Sequence, residues 1–342
     1  MSPKRPNLLQ TCESARRHSS VKSLMAGSAL VAIGVVLSQG SAFAEACNGG
    51  TATGSNTACG GGANATSPGF STAIGFGANA AGSASSGYAT ALGTGTVANA
   101  GFATALGAQA IATNSYATAI GNKATASGSY SFAAAPNSTA TADNTIAIGL
   151  ESKATASYGL AIGANANATA NRGTAVGYQA QALADTATAF GTAAWASGTN
   201  SVAIAWSTAS ASNAVAVGFN ANANSADAAA LGVNAKALNT GAAAYGANSR
   251  AAGANSTAIG QSANAIGARS TAIGNNSVTN VASTVAIGDG AVIGASAGAG
   301  SVAMGNGSNV TSGTGAVAIG QGQTASGNGA VAIGDPKTTT RT

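Results

Sequence analysis

Few side chains in this sequence could do chemistry, and none is placed to do it together. Beyond residue 44 the chain carries seven acidic residues, Glu45, Asp143, Glu151, Asp185, Asp227, Asp289 and Asp335, and no histidine, since His18 lies upstream. Two carboxylates facing one bond could divide acid and base roles in hydrolysis. Asp143 and Asp185 are three copies apart in the repeat described below, about 14 Å at the spacing of stacked strands. They are predicted to be solvated turn residues. The glycine-rich runs lack a following Lys-Ser or Lys-Thr and open no helix, so they are not phosphate cradles. No repeated Gly-Gly-x-Gly-x-Asp pattern supports a calcium-binding roll. The expectation is no enzyme, no cofactor and no metal site.

Cysteine chemistry is equally spare. Cys12 belongs to the leader, leaving Cys47 and Cys59. An oxidising compartment would permit a disulfide between them, and the alternative is two free thiols in a lead segment. No histidine or third thiol remains to complete a zinc site.

Residues 1–44 have the form of a secretory signal. Lys4, Arg5, Arg16, Arg17 and Lys22 make a basic leader, an apolar stretch runs from Leu24 to Leu37, and Ala42-Phe43-Ala44 offers a small-residue cleavage site before Glu45. The apolar stretch is short for a membrane span, and no transmembrane segment is expected in the mature chain. Removing the leader takes five of thirteen basic residues and one of eight acidic ones, leaving a net charge of +1. A chain so nearly neutral offers no basic stripe for phosphates, so no nucleic-acid partner is expected despite the pI of 9.3.

The elements that position these residues are set by a repeat. Pairs such as Ile74-Gly75 recur with their second members at 75, 93, 107, 121, 135, 149, 163, 177, 191, 205, 218, 232, 246, 260, 274, 288, 305, 320 and 334. From 93 to 288 the step is 14 or 13 residues. The residue before the pair is alanine in all nineteen units, and the pair's second member is glycine except at Ala135 and Ala205. Its first member is aliphatic except at Ala134, Phe190 and Tyr245. Two places earlier sits Thr or an apolar residue, as in Thr118, Ile146 and Val202, so this stretch alternates as a strand does. Two small residues four and six places after the aliphatic, such as Ala124 and Ala126, make a second short strand.

Two strands and two tight turns in about 14 residues describe one coil of a narrow all-β solenoid. The aliphatic face is predicted to point inward. The alanine and glycine face is predicted to lie where another backbone or chain approaches too closely for larger side chains. One coil cannot stand alone, because ordering its backbone costs about 1–2 kcal/mol per residue. Stacked coils must share backbone ladders, with the alanine face expected to be buried against other chains.

The aromatic residues fall in register and are the candidate ligand contacts. Four places before the aliphatic stand Phe70, Tyr88, Phe102, Tyr116, Tyr130 and Tyr158. Two places after it stand Phe76, Tyr178, Trp206 and Phe219, with Trp206 and Phe219 in neighbouring coils about 5 Å apart. Trp195 lies close by in the sequence. Aromatic residues often anchor binding surfaces, although such a column could also merely stack on itself and shield a turn.

Repeats such as "STAIG", "NSVAIA" and "STVAIG", in register over 70–334, resemble the YadA-like head repeats of trimeric autotransporter adhesins. The resemblance implies a left-handed parallel β-roll of about 19 coils and side-by-side assembly as a homotrimer. It further implies a place at the bacterial cell surface or outer membrane, and adhesion to extracellular-matrix proteins, host cells or other bacteria. The organisation expected is a signal peptide over 1–44, a lead segment over 45–69, head repeats over 70–334 and a tail over 335–342. Stalk heptads and a C-terminal β-barrel, usual in that family, are not found in this sequence. Two other readings are a purely structural fibre and an ice-binding solenoid. The second is disfavoured because threonine at Thr72, Thr90, Thr104, Thr118, Thr174, Thr188, Thr257 and Thr271 interchanges with Val, Ile and Leu, as expected of an inward face.

Overall fold

The computed structural model describes residues 45–47, 49–66, 69–82 and 87–334, and every regular element among them is a strand. The signal expected over 1–44 and the tail over 335–342 lie outside the described residues. No helix among the described residues is long and apolar enough to cross a membrane.

Each coil consists of a three-residue strand, a tight turn, a two-residue strand and a second tight turn, as in Thr118–Ile120 followed by Thr125–Ala126. The first strands of successive coils form one parallel sheet of 21 strands. Pairing is strictly in register: Thr118 faces Phe132, Ala119 faces Ala133 and Ile120 faces Ala134. The second strands form a parallel ladder of their own, Thr125 facing Thr139 and Ala126 facing Ala140. Backbone bonds run both ways along the stack. The Thr118 amide donates to the Ser131 carbonyl of the next coil at 2.8 Å, and the Gly121 amide to the Leu106 carbonyl of the previous coil at 2.7 Å. Every strand but those at the ends is thus satisfied on both edges, which is how a coil with so little side-chain mass can be ordered.

The side chains point opposite to the sequence expectation. The recurrent alanine, exemplified by Ala119, Ala147 and Ala258, is fully buried inside the chain's own coil, while Ile74 is 39% and Ile120 37% exposed. Ala124 and Ala126 of the second strand are also fully buried and complete the same core. The physical reason is width. Two strands joined by two tight turns leave a slot between the sheets that accepts a methyl or hydroxymethyl group, so the large aliphatic residues must face outward. The rule that places large apolar residues inside assumes a core wide enough to hold them. The correction extends to the threonines: Thr104 and Thr118 are outward and half-buried, and a run of five register-paired threonines from Thr57 to Thr118 ends at Phe132.

Polar inward residues close their own turns. The Ser131 hydroxyl donates to the Gly128 carbonyl at 2.6 Å, and Ser256 and Ser270 make the same bond to Gly253 and Gly267. Serine replaces alanine at these corners with its hydroxyl bonded inside the turn, whereas the Ser152 and Ser201 hydroxyls are buried without a protein partner. Asn56, Thr96 and Thr145 are larger residues buried at the corners, and near the C-terminal end of the stack Thr279, Ile293 and Val310 succeed one another in a second-strand column otherwise filled by alanine. The coils lengthen there, with the strands Val292–Ala297 and Asn309–Gly313 carrying a register shift.

The glycine after the outward aliphatic is favoured on two grounds, although Ala135 and Ala205 fill the place in two coils with φ +106° and +60°. Gly260 has φ +129°, and a Cβ there would lie 2.5 Å from the Gly274 carbonyl oxygen of the next coil. The close approach expected for this face is therefore made by the neighbouring coil of the same chain.

The ladder also reaches upstream of the repeat boundary at residue 70. Glu45–Cys47 pairs with Thr57–Cys59, which pairs with Thr72–Ile74. Cys59 occupies the place of an outward aliphatic and is disulfide-bonded, and the backbone register sets Cys47 opposite it.

Candidate binding surface

The first aromatic column stands at the corner that precedes each three-residue strand. From Tyr88 onward each coil has a left-handed residue there, and Tyr88, Phe102, Tyr116, Tyr130 and Tyr158 have φ between +56° and +93°. Later coils fill the same place with residues suited to it, including Asn144, Asn200, Asn213 and Asn255. For a bulky side chain a positive φ is an outlier that costs on the order of 1–3 kcal/mol.

The rings form a continuous stack. Phe70 and Tyr88 are 5.8 Å apart, Tyr88 and Phe102 5.1 Å, and Phe102, Tyr116 and Tyr130 follow at 4.9 Å with interplanar angles of 2–4°. Each such pair contributes about 0.5–1.5 kcal/mol, which offsets the backbone strain without clearly exceeding it. The rings remain exposed along their edges, from Phe102 at 42% to Phe70 and Tyr130 at 60%. Asn144 interrupts the column, so Tyr158 stands apart from the stack.

Beyond Tyr158 the same corner becomes polar, which sequence reasoning missed. Thr186 bonds Asn200, the Asn200 amide donates to Asn213 Oδ1 at 3.2 Å, and Asn213 donates to Asp227 Oδ1 at 2.9 Å. The signal was present in the register, since all four residues sit four places before the first member of a repeat pair, Phe190, Ile204, Val217 or Leu231. One corner of the solenoid therefore reads aromatic toward its N-terminal end and amide-rich further on.

The second aromatic group lies on the corner that follows the three-residue strand. Trp206 and Phe219 meet edge to face, their centroids 5.5 Å apart at 63°, close to the separation predicted from coil spacing. Trp206 owes its pose to a turn shortened by one residue, in which Ala205 and Trp206 both take positive φ. Phe76 and Tyr178 are exposed at the same corner in other coils, outside this pair. Trp195 is not part of the group: it lies on the outward face of the two-residue sheet, with Gln181 and Thr208 as its register neighbours.

Two outward faces complete the surface. The three-residue sheet presents one apolar row through Ile148 and Ile162 and one mixed row in which threonines alternate with apolar residues such as Ile146 and Leu160, and Ile146, Ile148, Leu92, Leu106 and Leu231 are all exposed. The two-residue sheet presents Thr125, Thr139, Lys153, Asn167 and Gln181 in succession and is largely polar. Among the described residues no group of three or more His, Cys, Asp or Glu side chains could hold a metal ion.

Comparison with known proteins agrees with this geometry. The model of the YadA head domain repeat matches successive segments from 84–110 through 312–335, eleven in all. No curated protein matches the chain.

Proposed function

We propose a function from one premise: the chain belongs to the YadA head repeat family. That family points to a surface protein of the trimeric autotransporter adhesin type. On our reading this chain is an adhesin head, exported to the bacterial surface, whose left-handed coils stand side by side as a homotrimer. Its targets are matrix proteins, host-cell receptors or other bacteria.

Assembly is supported by the outward aliphatic rows. Soluble monomers rarely leave contiguous apolar patches larger than a few hundred Å², and the outermost apolar row runs through nineteen strands from Ile74 to Ile333, about 85 Å at 4.8 Å per strand. Covering them against copies of the same face removes them from water, worth about 25 cal/mol per Å². On this reading the interface lies on the aliphatic face, the reverse of the alanine face expected from sequence.

The observation that carries adhesion is the exposed aromatic stack at left-handed positions. A column serving stability alone is served as well by asparagine, which fills the same corner elsewhere, so the rings fit a role in contact with a partner. The test is binding of the purified chain to a panel of matrix proteins and epithelial cells, alongside a variant carrying Tyr88→Asn and Tyr116→Asn. Weaker adhesion with an unchanged circular dichroism spectrum supports the reading. A folded parent chain that adheres to nothing makes the protein a structural fibre.

A further inference from the structure

We infer that the polar face carries a second binding site, a groove for an uncharged oligosaccharide laid along the solenoid axis against Trp195. The inference deepens the adhesion reading, on which its biological use rests, by naming a ligand class.

The groove, about 470 Å³ in volume, runs across four coils between two register columns. One wall is the outward row Lys153, Asn167, Gln181 and Trp195, each paired in register with the next. The other is the turn column Glu151, Asn165, Gln179 and Ala193, all with positive φ. At the Trp195 end the facing turn residue is Ala193, the smallest of its column, so the indole is left 44% exposed beside the opening.

The chemistry of these walls selects the ligand. Asn165, Gln179 and Gln181 offer carboxamide donors and acceptors at coil spacing, Asn167 has its Oδ1 buried and serves to orient Gln181, and the indole supplies one flat apolar surface. Asn167 donates to Gln181 Oε1 at 3.1 Å, which sets the two amides in line and leaves the Gln181 Nε2 hydrogens for a guest. A pyranose ring matches this combination, since its hydroxyls need donors and acceptors together while one face is mostly C–H. An acyl chain or an apolar peptide side chain finds only Trp195 here. Glu151 and Lys153 oppose one another in charge at the far end, so the groove favours neither anionic nor cationic sugars. Three coil steps, about 14 Å, give length for two or three rings. The groove also lies on the sheet opposite the aliphatic rows, so the assembly proposed above leaves it open.

The chain has two tryptophans, which makes the test direct. In a Trp206→Phe background the remaining indole fluorescence reports Trp195 alone. Titration with chitotriose, cellotriose and maltotriose, checked by calorimetry, is expected to shift that emission for at least one sugar. Trp195→Ala is expected to weaken binding about tenfold or more, and Gln181→Leu by a smaller factor, with circular dichroism unchanged because both side chains face outward. Failure of all three sugars at millimolar concentration overturns the inference, as does equal binding by Trp195→Ala. A chain that adheres to cells but takes up no sugar overturns the groove and leaves adhesion standing. A chain that takes up sugar through Trp195 but adheres to nothing does the opposite.

Discussion

The size of single residues decides which side of the backbone is inside. Ala258 is fully buried between the sheets, so Ala258→Leu forces atoms into a slot that has room for a methyl group. Overpacking typically costs about 1–3 kcal/mol, and a slot with rigid ladders on both sides lies at the upper end. The variant is expected to lower the thermal midpoint by several degrees or to fail to fold. An unchanged midpoint would mean the slot is wider than described. Gly260→Ala tests the neighbouring constraint, since a Cβ would meet a carbonyl oxygen of the next coil at a φ unfavourable to L-residues. Its expected cost is about 2 kcal/mol or more, seen as a shifted denaturant midpoint. Tyr116→Asn behaves differently. It loses two ring contacts but relaxes a left-handed backbone, so stability is expected to change by less than about 1 kcal/mol, while adhesion weakens. A large loss of stability would assign the aromatic column to the fold.

At the scale of the coil, period, strand count and turn positions were all legible, because a 14-residue repeat with alanine in every copy leaves few arrangements. The orientation of the strands was not. Alternation shows that Ala119 and Ile120 face opposite ways, but which way is inward depends on the width of the slot, set by turn geometry. The stronger clue was that alanine never varies while its neighbours range from Thr to Phe: a position fixed in size is one with no room. The aromatic columns could be placed from register alone, and the 5.5 Å contact of Trp206 with Phe219 follows from it. The groove beside Trp195 was not legible, since it depends on Ala193 facing the indole across a corner. The upstream ladder from Glu45–Cys47 was also hidden. Thr57-Ala58-Cys59-Gly60 keeps the alanine and glycine but puts cysteine where an aliphatic was sought.

For the whole molecule, the central claim is that a coil too thin to hold its large residues displays them for assembly. Ile148 and Ile162 are register neighbours on the outward face, and neither contributes to the buried core. Replacing both with glutamate should therefore spare the solenoid and abolish association, because like charges facing an apolar interface are costly to bury. The most direct measurement is native mass spectrometry of the purified chain beside the Ile148→Glu, Ile162→Glu variant, with circular dichroism of both. The account predicts three chains for the parent and one for the variant, with the same β spectrum. A parent that stays monomeric at high concentration, or a variant that still assembles in threes, would contradict it.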